Sequence, residues 1–114
     1  MIERGSVVLL DLGPTVGHEQ RGKRPCVVVS DPEVVASLRY PRFAVVPLTG
    51  GAGQGALYPE VAPGSSGLRR PSWVLVDQVR SVDKRRVVRL TGRVTDAELA
   101  AIDRGLALYL GLVG

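Results

Sequence analysis

The sequence predicts a mostly β protein, a small antiparallel barrel followed by one C-terminal helix. Three observations support this fold class: short runs of Val and Leu recur along the chain, Gly- and Pro-rich connections separate them, and leucines at helical spacing occupy the end. With 114 residues the chain has the length of one domain, so we expect residues 1–114 to form a single unit. Its 45% hydrophobic residues are enough for a core that needs neither metals nor disulfides.

Each strand is predicted from an apolar run and from the turn residues that bound it. The predicted strands are residues 6–12, 25–30, 43–49, 57–61, 72–80 and 87–94. Ser30 or Asp31 can cap a short helical turn after the second strand, and Pro47 predicts an edge or a bulge in the third. The glycine-rich segment 50–56 predicts a flexible connector. Segment 72–80 is the longest strand candidate, apolar where it begins and polar where it ends.

The C-terminal helix is predicted from its start signal and its periodicity. Thr95 and Glu98 have the spacing of a capping box. An apolar stripe at helical spacing follows, formed by Leu99, Ile102, Leu106 and Leu110. The stripe predicts packing against a core rather than a cofactor site.

The charge distribution favours a polyanionic partner. Fifteen Lys and Arg residues against eleven Asp and Glu residues give a net charge of +4. The cations cluster in three loops, which contain Arg21, Lys23 and Arg24, then Arg69 and Arg70, and finally Arg80, Lys84, Arg85 and Arg86. Such clustering favours a phosphate backbone, although each cluster alone is also consistent with a solubilising surface.

Cysteine usage and hydropathy predict a cytoplasmic protein that does not enter a membrane. Cys26 is the single cysteine and cannot pair within the chain. The sequence contains no recognisable signal peptide and no apolar segment of about twenty residues. Because Cys26 begins an apolar run, we expect it to be a buried strand residue without a catalytic role.

Four motifs, in the same order along the chain, resemble the MazF/PemK family of bacterial toxins. They are GHEQRGKRP after DLGPT, then VVPLT, then VDQVRSVDKRR, and last the capped amphipathic helix. The resemblance covers nearly the whole chain. It implies an SH3-like barrel, a homodimer and a metal-independent endoribonuclease without a cofactor, which cuts single-stranded RNA at short sequences and is silenced by a MazE-like antitoxin.

Two other functions use the same features. The CcdB toxins share the barrel but bind DNA gyrase and cut nothing, so a non-catalytic toxin is the first alternative. A catalytically silent RNA-binding module is the second, because it would keep the basic clusters.

The resemblance implies roles for individual residues. Arg24, from the RP pair, is catalytic in this family, and its planar guanidinium can hold two phosphate oxygens. Thr49 matches a threonine that contacts the scissile phosphate. The general base remains open among Glu19, Asp77 and His18, in descending preference, because arginine is a poor proton acceptor at neutral pH.

The match to the Kid branch of the family is incomplete. In Kid an arginine acts as the acid two residues before the aspartate that corresponds to Asp77, whereas this chain has Leu75. A Kid-type mechanism therefore cannot be transferred whole. We expect RNA contacts from six further polar or cationic residues, namely Gln20, Arg21, Lys23, Gln78, Arg80 and Lys84. The aromatic residues available for base stacking are Trp73, Tyr40 and Tyr58, and Trp73 can equally be a core or dimer contact.

Overall fold

A computed structural model describes residues 1–13 and 22–112 of the chain. Within these residues the strands are β1 (Ser6–Asp11), β2 (Lys23–Val28), β3 (Arg42–Thr49), β4 (Glu60–Val61), β5 (Ser72–Val74), β6 (Arg80–Asp83) and β7 (Val87–Arg93). The helices are α1 (Pro32–Ala36) and α2 (Asp96–Tyr109), together with two 3₁₀ helices at Val76–Gln78 and Lys84–Arg86. None of the described helices is long and apolar enough to span a bilayer.

The strands form one antiparallel sheet that curls into a half-barrel, which confirms the predicted fold class. Its strand order is β4-β5-β3-β2-β1-β7, and β6 pairs with β3 off this path. Helix α2 follows the last strand.

The first three strands are buried on both faces of the sheet. One face packs against α2, and its core includes Val7, Val27, Val46 and Ile102. The other face packs against α1, and its core includes Val8, Cys26, Val45 and Val35. Two-sided burial explains why these strands are continuous apolar runs rather than alternating ones.

Strand β3 changes its partner halfway along its length. One of its sides pairs with β2, while the other pairs first with β6, through Arg42 to Val45, and then with β5, through Leu48 and Thr49. Pro47 lies where the partner changes, and its carbonyl accepts a hydrogen bond from the Leu75 N–H at 2.8 Å. Of the two alternatives predicted from Pro47, the edge strand is therefore wrong, and the pairing of β3 with β2 is continuous at Pro47, without a bulge. The proline has no N–H to donate, and it lies in an interior strand between two ladders.

The prediction of one long strand over 72–80 is also wrong. The chain leaves the sheet after β5, makes a 3₁₀ turn, and re-enters as β6 beside the other half of β3. The regular alternation of side chains between two faces, which a continuous strand over 72–80 would show, is lost at this turn. The basic segment after Arg80 likewise begins as a strand, so that its 3₁₀ turn starts only at Lys84. The strand predicted at 57–61 is reduced to Glu60–Val61.

The helix starts agree with the sequence signals. The Thr95 hydroxyl accepts from the Glu98 N–H at 3.1 Å, and the Glu98 carboxylate accepts from the Thr95 N–H at 2.8 Å. Asp31 caps α1 by accepting from the Glu33 N–H at 3.0 Å. The predicted core stripe of α2 is confirmed except at its end, because Leu110 is 53% exposed.

Gly105 lets α2 approach the chain that supports the 3₁₀ turn at Val76–Gln78. A Cβ at this position would lie 2.7 Å from the carbonyl oxygen of Ala56 and 3.3 Å from a Val76 methyl group. Glycine in a helix interior costs roughly 1 kcal/mol relative to alanine. The close approach accounts for its presence here.

We predict that Gly105→Ala destabilises the protein by about 1–3 kcal/mol, because the new methyl group meets a backbone oxygen that cannot move freely. Urea denaturation measures this change. Gly50→Ala is the control, since a Cβ at Gly50 meets nothing within 4 Å. Stabilisation of Gly105→Ala by about 1 kcal/mol, as helix propensity alone requires, would contradict the packing argument.

Candidate functional site

The structure describes seven of the eleven predicted site residues. His18, Glu19, Gln20 and Arg21 lie outside the described residues. The others lie on β2 (Lys23 and Arg24), at the end of β3 (Thr49), in the first 3₁₀ turn (Asp77 and Gln78), at the start of β6 (Arg80) and in the second 3₁₀ turn (Lys84).

Arg24 and Thr49 lie at the same end of the same sheet face. Cys26 of β2 is directly opposite Pro47 of β3. Because side chains alternate along a strand, Arg24 and Thr49 share the face of that pair, two residues further along their strands. From Cys26 inwards, this face of the sheet belongs to the buried core. At its other end Arg24 is exposed and Thr49 is half-buried. The fold thus brings together two residues that are 25 positions apart in the sequence.

Arg80 adds a second cation to this face. It pairs in register with Val45 of β3, so its side chain lies on the side of the sheet that Cys26 occupies. Burial raises the pKa of the Cys26 thiol to about 12, and the positive charge of Arg80 only partly opposes this shift. The predicted burial of Cys26 is confirmed, and its thiol stays protonated at neutral pH.

Asp77 is held by a residue that sequence reasoning assigned only to base stacking. The Tyr58 hydroxyl donates a hydrogen bond of 2.7 Å to Asp77 Oδ2. Among the described residues, Asp77 Oδ1 is buried and has no hydrogen-bond partner. Hydrogen bonding to the carboxylate and its negative charge raise the pKa of Tyr58 above the ordinary value of 10.0. The phenol therefore remains a donor at neutral pH.

An open groove of about 410 Å³ joins Thr49 to Tyr58. Its wall also includes Leu75, at the position where the Kid branch has an arginine, and residues 51–54 line it too. The Gly51 N–H donates to the Thr49 hydroxyl at 3.2 Å, which leaves the hydroxyl proton available to a ligand. The groove can thus offer a hydroxyl donor and an apolar surface side by side.

Three other predicted RNA contacts differ in their surroundings. Lys23 is exposed and lies opposite Asp11 in the register of β1 and β2. Gln78 is half-buried in the 3₁₀ turn that contains Asp77. The Lys84 ammonium donates to the carbonyl oxygens of Val34 at 2.6 Å and Ser37 at 3.0 Å, so it ties the second 3₁₀ turn to α1. Because two of its N–H donors are engaged in these bonds, Lys84 is not part of the candidate site.

No group of three or more His, Cys, Asp and Glu side chains that could hold a metal ion occurs within residues 1–13 and 22–112.

The contact between Tyr58 and Asp77 had no signal in the sequence. The two residues are 19 positions apart, on opposite sides of β5, and no periodic pattern relates them. Only the 3₁₀ turn after β5 directs Asp77 back towards the segment that precedes β4.

Comparison with known proteins identifies the family. The family model of the PemK-like, MazF-like toxin of type II toxin–antitoxin systems matches residues 3–110. Endoribonuclease MazF9 of Mycobacterium tuberculosis is 36% identical over an alignment of 118 residues, and the alignment covers 98% of this chain and 98% of that protein. The chain therefore belongs to the PemK-like, MazF-like toxin family.

Solved structures of this family share the fold. The crystal structure of MazF from Deinococcus radiodurans superposes with a TM-score of 0.77 at 28% identity and covers 96% of each chain. A MazE–MazF crystal structure from the same organism has a TM-score of 0.76 at 27% identity and covers 98% of this chain and 97% of that one. The half-barrel described above is thus the fold of MazF toxins.

We predict that Tyr58 loses its proton at higher pH than a tyrosine of ordinary pKa does. An alkaline absorbance titration of tyrosinate should show one late component, which Tyr58→Phe removes and Tyr40→Phe leaves in place. Asp77→Asn should lower the pKa of Tyr58 because the carboxylate charge is lost.

The same shift affects stability. Because the folded protein holds the phenolic proton more tightly than the unfolded chain does, the stabilisation is complete below about pH 10 and is lost as the pH rises through the raised pKa. A titration without a late component, or a late component that persists in Tyr58→Phe, would contradict the contact with Asp77.

Proposed function

We propose that this toxin is a sequence-specific endoribonuclease that cleaves single-stranded RNA without a metal ion and so inhibits translation and growth. The observation that supports this function most directly is the placement of Arg24 and Thr49 at one end of one sheet face, with Arg80 on the same face. A relative at 36% identity is named an endoribonuclease, which agrees with that chemistry.

The chemistry requires charge stabilisation at the scissile phosphate. The 2′-oxygen of the preceding ribose attacks phosphorus, the bond to the 5′-oxygen breaks, and the products carry a 2′,3′-cyclic phosphate and a 5′-hydroxyl. Negative charge builds up on the phosphoryl oxygens during the attack. Arg24 can hold two of these oxygens and Thr49 can donate to one, which lowers the barrier because the donors are already in place.

A base must take the 2′-hydroxyl proton, and a donor must return one to the leaving oxygen. Glu19, Asp77 and His18, in descending preference, are the candidates for the base. Tyr58 occupies Asp77 Oδ2, and the remaining oxygen, Oδ1, is buried, so Asp77 could act as the base only if RNA binding exposes Oδ1. Tyr58 then serves to hold that carboxylate in one orientation.

We predict that Arg24→Ala lowers the rate of RNA cleavage by about two to three powers of ten, the usual cost of losing one oxyanion donor. The variant should fold normally, because Arg24 is exposed at the end of β2. The assay uses a long RNA and purified protein in EDTA, with thermal unfolding as the check on folding.

Arg39→Ala is the matched control, since Arg39 is exposed and precedes β3 at the end opposite Thr49. Wild-type cleavage by Arg24→Ala would overturn the site. Loss of wild-type cleavage in EDTA, with recovery when Mg²⁺ is added, would overturn metal independence.

The gyrase-binding alternative is not favoured. The solved structures described above are MazF proteins rather than CcdB proteins, and the curated relative is named an endoribonuclease. A silent RNA-binding module would bind the same RNA and leave it intact, so the cleavage assay separates it from the proposed enzyme.

The proposal includes a homodimer. Large apolar side chains at the end of α2 are exposed in the single chain, namely Leu108 at 55%, Tyr109 at 47%, Leu110 at 53% and Leu112 at 74%. Apolar side chains this close together are typical of a surface that a second chain covers.

The proposed restraint is a MazE-like antitoxin that acts in the cytoplasm, where the RNA is. A relative with a TM-score of 0.76 was solved as MazE–MazF. We infer that an acidic, largely disordered antitoxin segment occupies the RNA groove, because its carboxylates can take the positions of RNA phosphates on a chain of net charge +4.

We predict that RNA and the antitoxin exclude each other. A competition titration with a short uncleavable RNA analogue should show that the apparent Kd for RNA rises in proportion to the antitoxin concentration. A ternary complex with unchanged affinities would rule out the shared groove.

A further inference from the structure

Two depressions meet at the turn that follows β3. The first is the groove between Thr49 and Tyr58. The second, of about 390 Å³, is lined by Gly50 and residues 69–72. Because Gly50 follows Thr49 directly, a ligand at the candidate site can continue past this turn into the second depression.

The second depression contains two unengaged cations, Arg69 and Arg70. Both are exposed, and neither side chain forms an ion pair or hydrogen bond with a described residue. Other arginines differ in this respect, since Arg4, Arg85 and Arg93 form salt bridges with carboxylates. Among residues 1–13 and 22–112, no carboxylate lines the depression.

The segment that contains these arginines is anchored at several points. Ser66 is fully buried, and its hydroxyl donates to the Ala62 carbonyl at 2.8 Å. The Arg93 N–H donates to the Ser65 carbonyl at 2.8 Å. Pro71 restricts Arg70 to an extended backbone, and the Ser72 hydroxyl donates to the Arg70 carbonyl at 3.4 Å. The two guanidinium groups therefore project from a fixed base.

We propose that Arg69 and Arg70 form a second phosphate-binding subsite for the RNA strand, separate from the scissile phosphate at Arg24 and Thr49. This inference rests on the proposed function and adds to it how the substrate is held. A guanidinium binds phosphate oxygens through two parallel donors, and two unpaired guanidiniums beside a groove give a strong preference for an anion. Contact with phosphate carries no sequence information, so the subsite increases affinity equally for every RNA sequence long enough to reach it.

The test measures the affinity of the double variant Arg69→Ala/Arg70→Ala for RNA at several salt concentrations. The probe is a single-stranded RNA of ten or so nucleotides with a 2′-deoxy sugar at the cleavage position, which the enzyme cannot cut. For single strands, the slope of log K against log salt falls by about 0.7 for each phosphate contact that is lost. We expect the variant to bind more weakly and with a slope shallower by about 0.7 to 1.4.

Cleavage kinetics provide the second readout. On a long RNA the double variant should show a raised KM and an unchanged kcat, because the contacts lie away from the reacting phosphate. On a dinucleotide that contains only the scissile phosphate, the variant and the wild type should have the same kcat/KM. Arg39→Ala removes one cation at the opposite end of β3, so it is the charge-matched control for the single variants Arg69→Ala and Arg70→Ala, which are measured beside the double variant.

The outcomes distinguish the subsite from the function on which it rests. If wild-type protein cuts RNA and the double variant keeps the wild-type salt slope and KM, the proposed subsite is wrong, but the proposed endoribonuclease activity stands. If the double variant loses activity equally on the dinucleotide, the arginines act at the reacting phosphate and the subsite is again wrong. If Arg24→Ala cuts at the wild-type rate, the proposed function itself fails.

Discussion

The partner change of β3 is the constraint on which the rest of the structure depends. On one of its sides, β3 pairs with β6 along Arg42 to Val45 and with β5 along Leu48 and Thr49. Strands β5 and β6 therefore lie one after the other along the same side of β3. The chain can provide this only by leaving the sheet between them, and it does so in the 3₁₀ turn at Val76–Gln78. That turn places Asp77 outside the ladder and within reach of Tyr58. The geometry of the candidate site is therefore a consequence of how one interior strand divides its hydrogen bonds.

The cationic side chains fall into two groups, one that holds parts of the chain together and one that can bind a ligand. Arg4, Arg85 and Arg93 are paired with carboxylates, and Lys84 with backbone carbonyls, so these cations hold parts of the chain together. Exposed pairs of this kind contribute little to stability, typically less than about 1 kcal/mol. Arg69 and Arg70, beside Gly50, form no ion pair with a carboxylate among the described residues, so their charge is available to a ligand. The net charge of +4 is less informative than this distribution.

The sequence predicted those parts of the fold that local patterns determine. Buried runs identified β1, β2 and β3, and the capping box located α2, because burial and capping depend on neighbouring residues. The prediction of one strand over 72–80 was wrong, because an apolar run with strand propensity does not show which strand it pairs with. The run cannot reveal that β3 pairs with β6 along one half and with β5 along the other. In the candidate site, Arg24 and Thr49 came from a family resemblance, and the register explains why they belong together. The contact of Tyr58 with Asp77 depends on the 3₁₀ turn, which no pattern in the sequence indicates.

The two-sided core of β1, β2 and β3 limits where related toxins can diverge. An interior position in these strands faces one hydrophobic cluster or the other, so a polar replacement there leaves an unpaired group in the core at a cost of several kcal/mol. The strand ends and the exposed positions of the connections at 50–56 and 62–71 carry no such penalty, in contrast to the buried Ser66. Sequence differences among related toxins can therefore accumulate at these exposed positions, while the two-sided core of the barrel remains unchanged.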